Sequence, residues 1–204
     1  GALPRFTTNE MSYYLSWSTN GLINEYCNEA DAIYEGKPIK VMPLEGAEKL
    51  VIEGESFEAF NTSGGCATMC ETYADKVENL TYKTIRYPGH LNHMKFLFND
   101  LHLKKNKDIL EKLFDKEVPR TKNDLIIFFV KVIGLIDGVL QEKTYLRKIY
   151  GDEKFSAIQL TTASGACSAL KMFLDGKISS KGFIKQESLS WKDFIDNKFG
   201  SVYK

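Results

Sequence analysis

Residues 124–151 read DLIIFFVKVIGLIDGVLQEKTYLRKIYG. Two runs rich in β-branched and aromatic residues flank Asp137-Gly138, a dipeptide that accepts the backbone of a tight hairpin turn, so the stretch predicts a long β-hairpin. Its apolar side chains, concentrated between Leu125 and Tyr145, exceed what one face of a monomer's sheet needs, and a homodimer is expected to use them. Toward the C-terminus, Ser156 opens a long helix that should stop near Asp175-Gly176. The helix is rich in Ala163, Ser164, Gly165, Ala166, Ser168 and Ala169, small residues that allow close packing. SLSWKDFIDNKFG, 188–200, predicts a short capped helix.

Toward the N-terminus, residues 107–114 predict a short helix. Leu91, Met94, Leu97, Phe98 and Leu101 have the spacing of an amphipathic helix over 90–101. LTYKTIRY alternates as a strand and is closed by Pro88-Gly89. A helix is expected from about Gly65 to Val77. FEAF, KLVIEG and AIYEGKPIKVMPLEG carry short strands, the last around a Gly36-Lys37-Pro38 turn. NGLINEYCNEA predicts a helix capped by Asn20, and residues 12–19 predict a strand. The sum is an α+β domain with a mainly antiparallel sheet and helices on one face.

The chain has 204 residues, 43% of them hydrophobic, enough for a substantial core. Lys+Arg and Asp+Glu both number 27, so the basic excess of a nucleic-acid or membrane-surface protein is absent. LIIFFV, 125–130, is the longest apolar run, far too short to span a bilayer. The start GALPRF, without Met or a signal sequence, is expected to be a cut within a longer protein or after a tag. Cys27, Cys66, Cys70 and Cys167 form no disulfide framework and are expected to be reduced thiols in a cytoplasmic protein.

Two segments could carry chemistry. Asn61-Thr62-Ser63-Gly64-Gly65 stands between a strand and a helix. Either Ser63 simply caps that helix, or the turn leaves first-turn N–H groups for a carboxylate. Arg86 lies mid-strand before Pro88-Gly89. Either it faces solvent from an edge strand, or its guanidinium clamps a carboxylate through two parallel hydrogen bonds. Cys66, Cys70, His90 and His93 fit no zinc spacing; semi-buried thiols and surface histidines are expected, and no metal. Trp17, Tyr13 and Tyr14 read as sheet-packing aromatics, and Lys104, Lys105 and Lys107 as a solvated turn.

LSWSTNGLINEY, FEAFNTSGG, YKTIRYPGH followed by MKFL, AIQLTTASG and KGFIKQE occur in this order along nearly the whole chain. Together they resemble the saccharopine dehydrogenase family, and lysine 6-dehydrogenases share much of the pattern. The family's Rossmann domain has no counterpart here: the 204 residues contain no GxGxxG fingerprint. The resemblance therefore implies the second, substrate-binding and dimer-forming domain, similar to the C-terminal domain of glyceraldehyde-3-phosphate dehydrogenase. It implies an NAD(P)-dependent oxidation of a C–N bond, with NAD or NADP bound mainly by the other domain. It implies an amino-acid substrate contacted by Asn61, Thr62, Ser63, Thr84 and Arg86, with Leu3 and Trp17 at pocket positions. Ser18 falls near the cofactor. Fungal-type members carry Arg where this chain has Thr62, which leaves the substrate open between saccharopine, lysine and a related amine. A non-catalytic dimerisation or sensing domain is the alternative of another class.

Overall fold

In the computed structural model, which describes all 204 residues, Asp137 and Gly138 both take left-handed backbone, φ 51° and 78°. That turn matches the twist of its flanking strands. The two strands pair antiparallel from Leu125↔Tyr150 to Ile136↔Val139.

In chain order the elements are β1 (Ala2–Pro4), α1 (Thr19–Cys27), β2 (Ala30–Tyr34), β3 (Lys37–Val41), β4 (Glu48–Ile52) and β5 (Glu55–Asn61). Then come α2 (Met69–Tyr73), β6 (Lys83–Arg86), α3 (His90–Lys95) and α4 (Lys107–Glu117). The chain closes with β7 (Asp124–Ile136), β8 (Val139–Tyr150), α5 (Ala157–Leu174) and α6 (Trp191–Asp196). The fold is α+β, as the patterning predicts. Its strands are divided among three small antiparallel sheets, ordered β1-β7-β8, β2-β3 and β4-β5-β6.

The chain forms two compact units. One comprises Gly1–Arg5, Lys122–Phe183 and Leu189–Lys204; the other comprises Phe6–Thr121 and Ile184–Ser188. In the first, Leu125, Ile126 and Ile127 at the base of the hairpin are buried. Ile126, Ile149 and Ala157 form a core with Phe128, Val202 and Tyr203 packed against it. Helix α5 begins with a reciprocal capping box between Ser156 and Gln159. It gains a second anchor in the buried Asp124, which accepts from Ala157 N–H at 2.5 Å and Ile158 N–H at 3.0 Å. Its small-residue stripe has the expected use: Tyr203 Oη stands 3.1 Å from where a Cβ on Gly165 would lie. Ser168 donates to Phe194 C=O.

In the second unit the core gathers Tyr13, Leu15, Leu22, Ile23, Tyr26, Phe60, Leu91, Met94, Phe98, Leu110 and Phe114. Four local expectations are corrected here. Residues 12–19 are not a strand: Tyr13 and Leu15 alternate into the core, but the only ladder contact is one bridge, Leu15 with Arg120. Helix α1 is capped by Ser18, whose Oγ accepts from Gly21 N–H at 3.1 Å, not by Asn20. The helix expected over 65–77 shrinks to the five residues of α2. Ala67 and Asp75, at φ 46° and 59°, break the helical backbone on either side. The helix expected over 90–101 holds for α3 and then widens into a π-helical turn, Phe96–Asp100, leaving Leu101 half exposed.

Candidate functional site

Strands β5 and β6 pair so that Asn61 stands opposite Lys83, Phe60 opposite Thr84 and Glu58 opposite Arg86. The ladder brings the two predicted segments side by side. Thr62, fully buried, lies just past the end of β5, and its hydroxyl is 2.9 Å from that of Thr84. Thr84 and Arg86 share one face of β6, because side chains alternate along a strand. Asn61 is pinned by its neighbours: its N–H donates to Glu45 C=O, its C=O accepts from Leu44 N–H, and its Nδ2 donates to Met42 C=O.

Ser63 does not cap α2. Its N–H donates to Glu25 C=O at 3.1 Å and its hydroxyl to Asn24 C=O at 3.3 Å, fastening the turn to the end of α1. Gly65 is fixed by its neighbour, since a Cβ there would fall inside the ring of Tyr82. The start of α2 meets a carboxylate from within the chain. Glu187 accepts from Thr68 Oγ1 at 2.9 and 3.0 Å and from Thr72 Oγ1. The Thr72 hydroxyl, with Thr68 and Lys185, holds its carboxyl below the usual range.

Arg86 is the centre of the site. Its strand is an edge strand, yet the side chain turns inward and is only 3% exposed, so the solvent-facing alternative is excluded. Nε donates to Tyr26 Oη at 3.0 Å and Nη1 to Ile85 C=O at 2.9 Å. The guanidinium lies 5.3 Å from the centre of the Tyr13 ring and 6.0 Å from that of Tyr26. Burial disfavours its charge, but Tyr26, Tyr13 and Glu25 outweigh that and hold its pKa above the ordinary value.

The network continues to His90, which is not a surface histidine but completely buried. Its Nδ1 is 3.0 Å from Met11 C=O, which can only accept, so Nδ1 carries the proton. Nε2 then accepts from Tyr26 O–H at 3.0 Å. Burial, reinforced by the Arg86 charge, pushes the His90 pKa down to about 3, so the imidazole is neutral. Burial likewise raises Tyr26. The sealed Tyr13 hydroxyl has no hydrogen-bond partner; the nearby Trp17 indole favours its charged form without meeting hydrogen-bond geometry. Glu25, half-buried on α1, has its carboxyl raised by burial against the opposing pull of Arg86.

Trp17 is half-buried and packs its ring 2.6 Å from the place of a Cβ on Gly21, at the first turn of α1. Ser18, beside it, is exposed. Leu3 belongs to the other unit, buried on β1 opposite Leu125. The thiols of Cys66 and Cys70 are buried with Ile33, burial pushing Cys66 up to about 12. No three His, Cys, Asp or Glu residues gather as a metal site. Sequence reasoning missed Tyr26, His90, Glu25 and Glu187. An isolated Tyr or Glu on a short helix carries no spacing signal, and Glu187 reaches α2 from more than 110 residues away.

The model of the saccharopine dehydrogenase C-terminal domain matches residues 1–199. The chain belongs to that family. Among solved structures, it is similar to apo histidine-tagged saccharopine dehydrogenase (L-Glu forming) from Saccharomyces cerevisiae. The TM-score is 0.65 and the identity 16%, over 90% of this chain and 59% of that one. At that identity the likeness is one of fold. The chain spans 59% of the length of the structure it matches. No helix of this saccharopine dehydrogenase C-terminal domain is long and apolar enough to cross a membrane.

Proposed function

We propose that this chain is the substrate domain of a cytoplasmic NAD(P)-dependent oxidoreductase that acts on the C–N bond of an amino-acid amine, with saccharopine as the leading substrate. The observation that carries this reading is the convergence of the family's two substrate segments. Thr62 and Thr84 meet at 2.9 Å, two residues from a buried guanidinium whose hydrogen bonds go to a hydroxyl and a carbonyl. A cation held rigidly on neutral partners keeps its charge for an anionic ligand. Arg86 would take a substrate carboxylate, with Asn61, Thr62, Ser63 and Thr84 shaping the site and Trp17 at its edge.

The named sheets are all antiparallel, with no βαβ unit and glycine-rich turn of the Rossmann kind to cradle a dinucleotide's pyrophosphate. Ser18, exposed at the start of α1, is the residue to meet the nicotinamide end. The bound cofactor supplies a hydride acceptor for the carbon of the C–N bond. Loss of that hydride and of the nitrogen's proton leaves an imine. Water then cleaves it, saccharopine giving glutamate and 2-aminoadipate 6-semialdehyde. The part of these residues is to orient the amine and hold its carboxylates.

Lysine is the second reading, favoured by Thr62: a site with an uncharged residue there has one fewer cation for carboxylates. Assay of the full-length protein with saccharopine and with lysine, each with NAD and NADP, decides between them. No turnover of either would leave a dimerisation or sensing domain. A homodimer belongs to the same proposal. Val130, Val132, Ile133, Leu135, Val139 and Leu140 are exposed along the distal half of the hairpin, an apolar surface that a second copy would cover. Sedimentation at micromolar concentration tests it, and a monomer there contradicts an obligate interface.

A further inference from the structure

Arg86 is held from behind by a chain of hydrogen bonds whose direction is fixed at every step. Its Nε–H donates to Tyr26 Oη, since a guanidinium has no acceptor. The Tyr26 proton is thereby left for His90 Nε2, 3.0 Å away, and His90 Nδ1–H goes to Met11 C=O, also at 3.0 Å. These residues come from strand β6, helix α1, the first position of α3 and the loop ahead of α1, so only the tertiary fold assembles the chain. The imidazole is wedged among the rings of Tyr13, Tyr26 and Phe60, at 4.9, 5.9 and 6.4 Å between centroids. Glu58 stands directly across the ladder from Arg86, yet its carboxylate does not pair with the guanidinium. It accepts instead from Gly89 N–H at 3.1 Å and Leu91 N–H at 2.6 Å, the residues on either side of His90. The acid best placed to neutralise Arg86 is thus used to seat the histidine, and the cation is left on neutral partners.

We propose that Tyr26 and His90 are positioning residues, which lock the Arg86 guanidinium so that it offers its Nη1–Nη2 edge to an anion. A carboxylate can meet a guanidinium side-on, at Nε and one Nη, or end-on, at the two Nη groups. Nε is committed to Tyr26 and one Nη1 N–H to Ile85 C=O, so the side-on fork is closed and the end-on edge remains. Tyr26 acts on the guanidinium directly. His90 acts through Tyr26, because its bare Nε2 draws the hydroxyl proton away and leaves the oxygen lone pairs to Nε–H. Without that acceptor the buried proton has no place on its own side, and the hydroxyl no longer offers a fixed seat. The guanidinium then regains rotamer freedom that a ligand must remove on binding. This rests on the proposed function for one point only, that Arg86 meets a ligand carboxylate; the hydrogen-bond chain is read from the geometry and is tested by itself.

The test compares the full-length protein as wild type, Tyr26→Phe, His90→Leu and His90→Gln. Gln keeps an oxygen that can accept from Tyr26 near the place of Nε2, whereas Leu keeps none. The first readout is the Arg86 Nε–H resonance by ¹⁵N NMR, identified by its loss in Arg86→Lys. It should exchange slowly with solvent in the wild type and His90→Gln, and broaden or vanish in Tyr26→Phe and His90→Leu. The second is steady-state kinetics with saccharopine, or with lysine if that is the substrate turned over. KM should rise about tenfold in Tyr26→Phe and His90→Leu, the scale of one bond to a charged group, with kcat changed less than about threefold. His90→Gln should recover most of the wild-type KM. A merely structural role would reduce the folded fraction and leave KM of the remainder unchanged. Should His90→Leu fail to fold, His90→Asn, polar but too short to reach Tyr26, takes its place. If KM stays at the wild-type value in Tyr26→Phe and the histidine variants, the positioning role is overturned and the proposed function stands. If the wild type turns over neither substrate and binds neither by titration calorimetry, the proposed function falls, and the positioning role with it.

Discussion

His90 gives the most quantitative prediction. In the folded protein it is buried, neutral and bonded at both nitrogens, with its pKa lowered from 6.5 to about 3. In the unfolded chain it titrates as an ordinary imidazole. Below pH 6.5 the unfolded state therefore binds a proton that the folded state refuses. Its contribution is fully present above pH 6.5 and is lost as pH falls toward the folded value. The loss is about 1.4 kcal/mol per pH unit, hence about 2 kcal/mol between pH 6.5 and 5, with a ceiling of about 5 kcal/mol near pH 3. Glu25 works in the opposite sense, since its raised pKa favours the protonated folded form in acid. Comparison with His90→Gln removes that contribution, because Glu25 is present in both proteins. Urea unfolding midpoints, measured from pH 7.5 to 5, should fall more steeply in the wild type than in His90→Gln, the curves converging in acid. The His90 imidazole should show no titration by NMR over the same range. Parallel curves, or a His90 resonance titrating near pH 6.5, would refute the buried neutral relay.

Three further outcomes follow from the geometry. Asp124→Ala removes the acceptor of two α5 N–H groups and should cost about 2–4 kcal/mol by chemical denaturation, with Asp124→Asn recovering part of it. Gly65→Ala should cost about 1–3 kcal/mol through its clash with Tyr82. Tyr82→Ala in the same chain should relieve it, giving a clear coupling in a double-mutant cycle. On the proposed function, Arg86→Lys should lower kcat/KM of the full-length protein about 10- to 100-fold, because an ammonium cannot bond Tyr26 and Ile85 and still present a fork. Its melting temperature should also drop, since the guanidinium is part of the buried interior; an unchanged kcat/KM would make Arg86 purely structural.

The sequence displays those features that local chemistry controls. Asp137-Gly138 selects a turn, Ser156 a capped helix and Gly176 its end, and each appears where expected. Proximity of the Asn61-Thr62-Ser63 and Thr84-Arg86 segments was readable only through the family resemblance, because strand pairing is a long-range choice. What could not be read is the inward turn of Arg86. An arginine on an edge strand faces solvent unless a hydroxyl, a carbonyl and an aromatic face wait inside for it, and those come from Tyr26, Ile85 and Tyr13. The same holds for His90, whose burial depends on Met11 and Tyr26, far away in sequence. The strand expected over 12–19 failed for the complementary reason: alternation was present, but a partner strand was not.

A carboxylate site is one of the two readings of the helix start after Gly64-Gly65, and in the structure the carboxylate met there is internal. Glu187 stands at the Thr68 and Thr72 hydroxyls of α2, and Asp124 occupies the first N–H groups of α5. Each of these helix starts already has an anion from its own chain, at positions where a ligand would have to displace a covalently tethered competitor. The Ser63 turn is likewise engaged, its N–H held by Glu25 C=O. The charge that the proposed function assigns to a ligand is accordingly a side chain, the Arg86 guanidinium, bonded to neutral groups. A helix start binds anions of many kinds through its backbone, whereas a guanidinium fork favours the planar geometry of a carboxylate. On the proposed function, carboxylate binding should therefore survive mutation of Gly64 far better than mutation of Arg86, and titration calorimetry of the two variants checks it.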